Sequence, residues 1–218
     1  MNAYHIYLLR HGITQANKEG RYVGRLNPPL CEEGKAQILE LKRSFIYPDA
    51  ELFYSSPRLR CLETLELLYP GEMPCVVEDL AECDFGDYEG KSISELKDDP
   101  EYQKFAAGEI SSAPNGEDSK AFAKRSLSAF GQIAQNMMRE GVHTAAVVAH
   151  GGTIMSILSG CAFPRRPMFD WLTGNGKGYE ILLTPQLFMN SGAVEVTGIV
   201  PFEDTDSGAE VPDPESAE

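Results

Sequence analysis

Two short apolar runs in the chain each end at a histidine that is followed by a glycine. Residues 6–9 lead through an arginine to His11, and the largely apolar residues 144–149 lead to His150. Runs of this length are typical of buried strands rather than helices. Ligands bind at the carboxyl ends of strands in open α/β sheets. The pattern therefore predicts a functional site at two strand ends, each carrying a histidine.

The rest of the apolar pattern switches between helical and strand spacing. Apolar residues three and four apart predict five helices. The first starts at about Glu32, and the second starts at Pro57 with Ser56 as its N-cap. The others span 94–108 with a break at Pro100, run from 118 or 119 to about Arg139, and start directly after His150. Short apolar runs predict strands at 52–54, 76–77, 179–183 and 193–200, the last two as a hairpin on the sheet edge. The aromatic stretch 169–172 fits either core or pocket lining.

Composition places these elements in one domain. The chain has 218 residues, of which 42% are hydrophobic, enough to bury a full core. Its net charge is −14, but residues 203–218 hold seven acids and no base, which leaves 26 acids and 19 bases in the body. We expect one domain over residues 1–202 and a disordered acidic tail over 203–218. The acidic body disfavours nucleic acid and anionic membranes as partners.

The sequence carries no sign of membrane insertion or export. No apolar run approaches the roughly 18 residues that a membrane span needs. The N-terminus lacks the basic start and long apolar stretch of a signal peptide. The five cysteines are scattered without a CxxC pair, which favours reduced thiols over disulfides or a zinc site. We therefore expect a cytoplasmic protein.

The side chains near the predicted site suit phosphoryl transfer. A neutral imidazole can attack phosphorus and hold the phosphoryl group, with guanidinium groups on its oxygens and a proton donor for the leaving alkoxide. Arg10 precedes His11, and segment 82–89 offers carboxyl groups. Arg58 falls in the predicted first turn of a helix, where a cation opposes the helix dipole. A bound anion would explain this arginine, and a solvated surface position is the alternative.

A metal site is the competing interpretation of paired histidines with carboxylates. It predicts closely spaced ligands such as HxH or HExxH, and the chain has neither. The glycine-rich phosphate loops GxxxxGK[ST] and GxGxxG are also lacking. Residues 12–34 are rich in Gly, Asn and Pro and predict a long loop that forms part of the pocket wall. We expect substrate selectivity to lie in residues 17–30, 100–120 and 163–176.

An ordered set of segments resembles the histidine phosphatase superfamily in its phosphoglycerate mutase-like branch. Residues 9–17 read LRHGITQAN, like the RHGxTxxN signature of that family. The resemblance continues in family order through GRYVG at 20–24, PLCEEG at 29–34, SSPRLRCLET at 55–64, LAECDFGDYEG at 80–90 and VAHGG at 148–152. RHG alone is weak evidence, whereas the ordered set spans residues 5–160.

This resemblance implies a fold and a set of roles. The fold is an α/β three-layer α/β/α sandwich with a mostly parallel central sheet. His11 would be the phosphorylated nucleophile and Glu82 the proton donor. The groups that bind the phosphoryl group would be Arg10, Arg58 and His150. The substrate contacts would come from Asn17, Arg21 and Gly151. Neither a metal nor a cofactor is required.

Two departures from the family pattern stand out. Asn27 occupies a position before the Pro-Leu pair where relatives often carry Asp, and Asp118 replaces the Ser of the PxGES segment. The 68 positions from Glu82 to His150 resemble the shorter phosphatase arrangement. The GRYxG loop resembles that of α-ribazole phosphatases and of broad-specificity phosphatases. We therefore favour a metal-independent phosphatase of small phosphorylated metabolites over a cofactor-dependent phosphoglycerate mutase or a non-catalytic phosphate-binding module.

Overall fold

The computed structural model describes residues 3–203, and its elements follow the predicted alternation. The strands are β1 (Tyr4–Arg10), β2 (Phe45–Ile46), β3 (Leu52–Ser55), β4 (Cys75–Val76), β5 (Thr144–Ala149), β6 (Ala162–Phe163), β7 (Gly178–Leu183), β8 (Val194–Val200) and β9 (Phe202–Glu203). The α-helices are α1 (Gln15–Lys18), α2 (Glu32–Ser44), α3 (Leu59–Leu68), α4 (Ile93–Leu96), α5 (Pro100–Ala106), α6 (Ser119–Glu140), α7 (Gly151–Cys161) and α8 (Pro185–Ser191). Apart from Glu203, the tail predicted to be disordered lies outside the described residues.

The central sheet is mixed and mostly parallel, as predicted. Its strand order is β4-β3-β5-β1-β7-β8-β6. The pairs β4–β3, β3–β5, β5–β1 and β8–β6 are parallel, whereas β1–β7 and β7–β8 are antiparallel. The predicted hairpin of β7 and β8 exists, but its edge position was wrong. The two-residue strand β6 forms the edge and pairs with Val194 and Glu195 at the start of β8.

Helices cover both faces of the sheet and produce the predicted three layers. Alternate residues of β1 point to opposite faces, so Ile6 and Leu8 join one core and Tyr7 and Leu9 join the other. The first core is closed by α6 and α7 and holds Trp171, which is fully buried. The second core is closed by α2 and α3. The β1 strand is thus buried on both faces in the middle of the sheet.

The start of α3 differs from the prediction. The helix begins at Leu59 with Arg58 in the N-cap position, not at Pro57 with Ser56 as the cap. The hydroxyl of Ser56 is instead engaged by His150. The Asn27 side chain supplies the missing cap, because its Oδ1 accepts a 2.8 Å hydrogen bond from the Leu59 N–H. Asn27 therefore ties the long loop to α3 without the Asp that relatives often carry.

Other helix boundaries follow standard capping chemistry. Asp118 caps α6 by accepting hydrogen bonds from the N–H groups of Lys120 and Ala121, the task a serine would otherwise perform. Pro100 does not interrupt one helix but occupies the first turn of α5, where its missing N–H has no cost. Within residues 3–203, no helix is long and apolar enough to cross a membrane. All five cysteines are free thiols.

A small aromatic cluster supports the loops beside the sheet. Tyr88 and Tyr102 are buried in it, and Tyr22, Phe85 and Phe105 pack against them. The ring of Tyr22 lies 4.9 Å from that of Phe85, centroid to centroid. This contact joins the 20–26 loop to the acidic segment 82–89.

Candidate active site

The sheet order brings the two predicted strand-end histidines together. β1 and β5 are parallel neighbours, with Arg10 in register with Ala149. The His11 N–H donates a 3.0 Å hydrogen bond to the Ala149 carbonyl. The ring centroids of His11 and His150 are consequently 5.2 Å apart, at an interplanar angle of 65°.

His11 is held in the tautomer that a nucleophile needs. Its Nδ1 lies 2.6 Å from the Gly12 carbonyl oxygen, and because a carbonyl only accepts, the proton is on Nδ1 and the lone pair is on Nε2. Burial lowers the pKa of His11 to about 3, and the nearby guanidinium groups of Arg60 and Arg10 act in the same direction. The ring is therefore neutral at physiological pH in the absence of a bound anion.

His150 lies in a fully occupied hydrogen-bonding environment. Its Nδ1 accepts a 3.2 Å hydrogen bond from Arg60 Nε, which places the proton on Nε2. Nε2 donates to the Ser56 hydroxyl at 2.6 Å. Burial, followed by the charge of Arg60, lowers the pKa of His150 well below its usual value. Cys61 packs against the same ring, with Sγ 3.6 Å from Nε2.

Arg60 is a functional candidate that was not among the predicted site residues. It is 1% exposed, contacts His150 directly and has the largest charge effect on the pKa of His11. Its position on α3 shares the buried face with Thr64 and Leu68. An arginine at the i, i+4, i+8 spacing of an apolar helix face is the sequence signal that identifies it.

Arg10 and Arg58 each keep a buried donor without an acceptor. Arg10 Nη1 donates to the Thr173 carbonyl at 2.6 Å, but its Nε has no hydrogen-bond partner within residues 3–203. Arg58 Nε is also buried without a hydrogen-bond partner in the described part of the chain. Arg58 also lines a cleft of about 390 Å³ that contains Glu82. A buried donor left unpaired is costly, and a bound anion would give such a donor an acceptor.

Glu82 lies against the start of α7. One carboxylate oxygen accepts from the Cys83 N–H and the other from the Gly152 N–H, both at 2.9 Å. Burial raises the pKa of Glu82, against the opposing effect of these two hydrogen bonds. The balance favours a carboxyl group that keeps its proton to a higher pH than an ordinary glutamate does.

Arg125 fixes the backbone that presents Glu82. Its guanidinium donates to the carbonyls of Asp79, Ala81 and Glu82 at 2.7–3.0 Å. The same group forms a two-pronged ion pair with Glu117, at 2.7 and 2.8 Å. One planar cation thus joins α6, the acidic segment and the turn before α6.

The three predicted substrate-contacting residues have different surroundings. Asn17 uses Oδ1 to close a capping box with Thr14, which leaves its amide nitrogen to donate elsewhere. Gly151 opens α7, and a Cβ there would lie 3.4 Å from Arg10 Nε. Arg21 is engaged by Glu19 at 2.6 Å and Glu95 at 3.0 Å. The structure does not bring Arg21 into hydrogen-bonding contact with the histidines, and its substrate role stays a prediction.

The segment that precedes β7 contacts the carboxyl end of β1 on the side away from β5. Asn175 Nδ2 donates to the His11 carbonyl at 2.9 Å, and the Gly176 N–H donates to the Arg10 carbonyl at 2.9 Å. The sequence predicts only a general selectivity region over residues 163–176. These contacts show that the end of that region positions the backbone of Arg10 and His11.

The described residues contain no cluster of three or more His, Cys, Asp or Glu side chains that could hold a metal ion. The site is instead a set of cationic and neutral donors around one imidazole lone pair. Such a set can bind a phosphate monoester, whose oxygens are acceptors.

Comparisons with known proteins agree with this chemistry. Residues 6–181 match the family model described as histidine phosphatase superfamily (branch 1). A protein of Hydrogenobacter thermophilus named "Putative phosphoserine phosphatase 2" is 32% identical over 70% of this chain and 76% of its own length. The adenosylcobalamin/alpha-ribazole phosphatase of Salmonella typhimurium is 28% identical over 71% of this chain and 77% of its own.

A solved structure supports the same fold. The phosphoglycerate mutase structure from Thermus thermophilus superposes with a TM-score of 0.63 at 27% identity. The alignment covers 89% of this chain and 97% of that one. The architecture deduced from strand order and layers is therefore shared with phosphoglycerate mutase-like proteins.

Proposed function

Because the chain belongs to the histidine phosphatase superfamily (branch 1), we propose that this phosphoric monoester hydrolase acts through a phosphohistidine formed on His11. The observation that carries the proposal is the state of His11. Its Nδ1 is tied to the Gly12 carbonyl and its pKa is lowered by burial and by two arginines. The Nε2 lone pair is therefore available to attack phosphorus near neutral pH.

In the first step, Nε2 of His11 forms a bond to phosphorus while the bond from phosphorus to the ester oxygen breaks. Glu82 gives its proton to that oxygen, so that an alcohol leaves rather than an alkoxide. Burial raises its pKa, which favours the protonated form that this task needs. The guanidinium groups of Arg10, Arg58 and Arg60 stabilise the charge on the three equatorial oxygens. His150 lies next to Arg60 in this group.

In the second step, water attacks the phosphorus of phosphohistidine. Glu82, now ionised, removes a proton from the water, and the P–N bond electrons return to His11. Inorganic phosphate and the starting enzyme result. The same carboxyl group thus serves as acid and then as base, and neither step calls on a metal.

The substrate class is a small phosphorylated metabolite. Two relatives are named for phosphoserine and for adenosylcobalamin/alpha-ribazole, which makes O-phosphoserine and α-ribazole 5′-phosphate the first compounds to compare. Arg58 and Glu82 share a cleft with Arg25, Asp84 and Glu117. This mixed charge favours a substrate that carries polar groups besides its phosphate. We propose a cytoplasmic location, as expected for an enzyme of soluble metabolites.

The first experiment is phosphate release from a panel of phosphomonoesters in EDTA, with wild type and His11→Ala. O-phosphoserine, α-ribazole 5′-phosphate, 3-phosphoglycerate and sugar phosphates form the panel. We expect release by the wild type, and loss of turnover together with the acid-labile phosphohistidine in the variant. Substantial turnover by His11→Ala would exclude the proposed nucleophile.

Phosphoglycerate mutase activity is the second candidate, favoured by the likeness to the Thermus thermophilus structure. The same residues would transfer the phosphoryl group back to an organic acceptor instead of water. Isomerisation of 3-phosphoglycerate in the presence of a bisphosphoglycerate, faster than its hydrolysis, would support the mutase. Phosphate release faster than isomerisation supports the hydrolase.

A further inference from the structure

The Glu89 carboxylate is surrounded by backbone N–H groups of the long loop. Oε1 accepts from Gly24 at 2.9 Å and from Arg25 at 2.9 Å. Oε2 accepts from Gly24 at 3.1 Å and from Leu26 at 3.2 Å. Oε1 also accepts from the Phe85 N–H at 3.1 Å. One carboxylate therefore holds three consecutive loop residues and its own segment.

The carbonyl groups of the same loop hold Arg60. Arg60 Nη1 donates to the Leu26 carbonyl at 2.9 Å. Its Nη2 donates to the carbonyls of Gly24 and Val23 at 3.3 and 3.4 Å. Gly24 and Leu26 thus bond Glu89 through their N–H groups and Arg60 through their carbonyls.

This loop has little freedom to move toward the segment behind it. A Cβ on Gly24 would lie 1.7 Å from the Cys83 carbonyl oxygen and 2.7 Å from Glu89 Oε1. The loop backbone at Gly24 is therefore in close contact with Cys83, the residue that follows Glu82. Without the Glu89 carboxylate, the loop could move away from Cys83. Arg60 would then shift with the loop, because it is hydrogen-bonded to the carbonyls of Gly24 and Leu26.

We propose that Glu89 is a positioning residue that fixes the Arg60 guanidinium against His150 through the backbone of residues 23–26. Its effect on catalysis rests on the proposed phosphatase function, whereas its effect on Arg60 does not. A carboxylate is suited to the task because both of its oxygens accept hydrogen bonds. A glutamine of the same size would turn an NH₂ group toward backbone donors.

The kinetic test is a double-mutant cycle of Glu89→Gln and Arg60→Lys with p-nitrophenyl phosphate. Displacement of a catalytic group by about 1 Å costs about 10²-fold, and we expect Glu89→Gln to lower kcat by about that factor with a smaller change in KM. In the Arg60→Lys background the same change should cost less than about threefold, because interacting residues are not additive. Full multiplication of the two losses, or wild-type kcat in Glu89→Gln, would overturn the proposal.

A second readout does not need turnover. The buried Arg60 Nε–H that bonds His150 should give a ¹⁵N NMR signal that is absent in Arg60→Lys. We expect Glu89→Gln to shift or broaden this signal, and an unchanged signal would refute the positioning role. If the wild type releases no phosphate while this signal responds, the phosphatase proposal fails and the positioning role stands.

Glu51 provides a matched control. Its carboxylate also accepts backbone hydrogen bonds, from the N–H groups of His143 and Thr144, but at the N-terminal end of β5. Glu51→Gln should leave kcat and the Arg60 signal unchanged. Equal kinetic damage in both variants would mean that Glu89 supports only the general fold.

Discussion

Glu82 Oε2 accepts a 2.9 Å hydrogen bond from the backbone N–H of Gly152, in the first turn of the helix that follows His150. The candidate proton donor and the second histidine are therefore held by the same turn of α7. This arrangement couples the chemistry of the acidic segment to the end of β5, although the two lie far apart in sequence. It also leaves no space for a side chain at position 152.

Gly152→Ala should displace the proton donor. A Cβ at this position would lie 2.4 Å from Glu82 Oε1, so the carboxyl group must move by about 1 Å, which costs about 10²-fold in rate. We expect kcat for an alkyl phosphate to fall by that factor. Gly131→Ala is the control, because a Cβ there meets nothing within 4 Å on α6. Equal activity of the two variants would contradict the steric argument.

Glu82→Gln should discriminate between leaving groups. An alkyl phosphate needs a proton on its leaving oxygen, and loss of a general acid costs about 10²- to 10⁴-fold, whereas p-nitrophenolate leaves without one. Burial raises the pKa of Glu82, so phosphorylation by alkyl esters should slow as the pH rises through that raised value. Rapid-quench measurement of phosphoenzyme formation tests both points. A similar loss for both leaving groups would argue against the acid role.

Arg58→Met should weaken phosphate binding without lowering the thermal stability of the ligand-free protein. The buried Arg58 Nε has no partner within residues 3–203, and an unsatisfied buried donor costs about 1–3 kcal/mol. We expect the ligand-free variant to melt no lower than the wild type, and to gain less from added inorganic phosphate. Thermal melts with and without phosphate measure this. Unchanged stabilisation by phosphate would place Arg58 outside the anion site.

Arg125→Met should weaken both the fold and the turnover. The change removes donors to three carbonyls around Glu82 and leaves the partly buried Glu117 carboxylate unpaired. We expect a loss of about 2–3 kcal/mol in the free energy of unfolding, since unpaired buried groups dominate such losses. Urea unfolding gives this value.

Arg125→Lys should recover little of that loss, because a single ammonium cannot reproduce the planar fork. Kinetics at a temperature where both variants are folded separate the positioning of Glu82 from global unfolding. Wild-type stability in the lysine variant would show that charge alone suffices at this position.

The two histidines could be predicted from sequence because each follows a short apolar run and precedes a glycine, whereas Glu82 was distinguished from the neighbouring carboxyl groups only by the family resemblance. The apolar run of residues 144–149 coincides with β5, and parallel pairing with β1 then makes the adjacency of the histidines a matter of topology. The start of α3 could not be assigned in this way. Ser56 and Pro57 form a standard helix start, but a tertiary bond to His150 engages the Ser56 hydroxyl.

Of the two neighbouring arginines, Arg58 was among the predicted site residues and Arg60 was not. With the helix starting at Leu59, the second arginine, Arg60, falls on the buried face. The partners of its Nη atoms are backbone carbonyls of an irregular loop. Every residue type has such a carbonyl, so the sequence does not show which ones will accept these hydrogen bonds. The contacts of Asn175 with the His11 backbone are hidden for the same reason.

The described chain begins and ends on opposite sides of the sheet. Tyr4 starts β1 at the end remote from the histidines, whereas Val200 pairs with Gly178 beside the carboxyl end of β1. Glu203 then pairs with Phe45, whose ring lies 5.9 Å from the Lys177 ammonium. An affinity handle or surface tether on the N-terminal side would therefore leave the mouth of the pocket open to solvent. A tether attached directly after Glu203 would instead start at the end of the sheet that carries the two histidines.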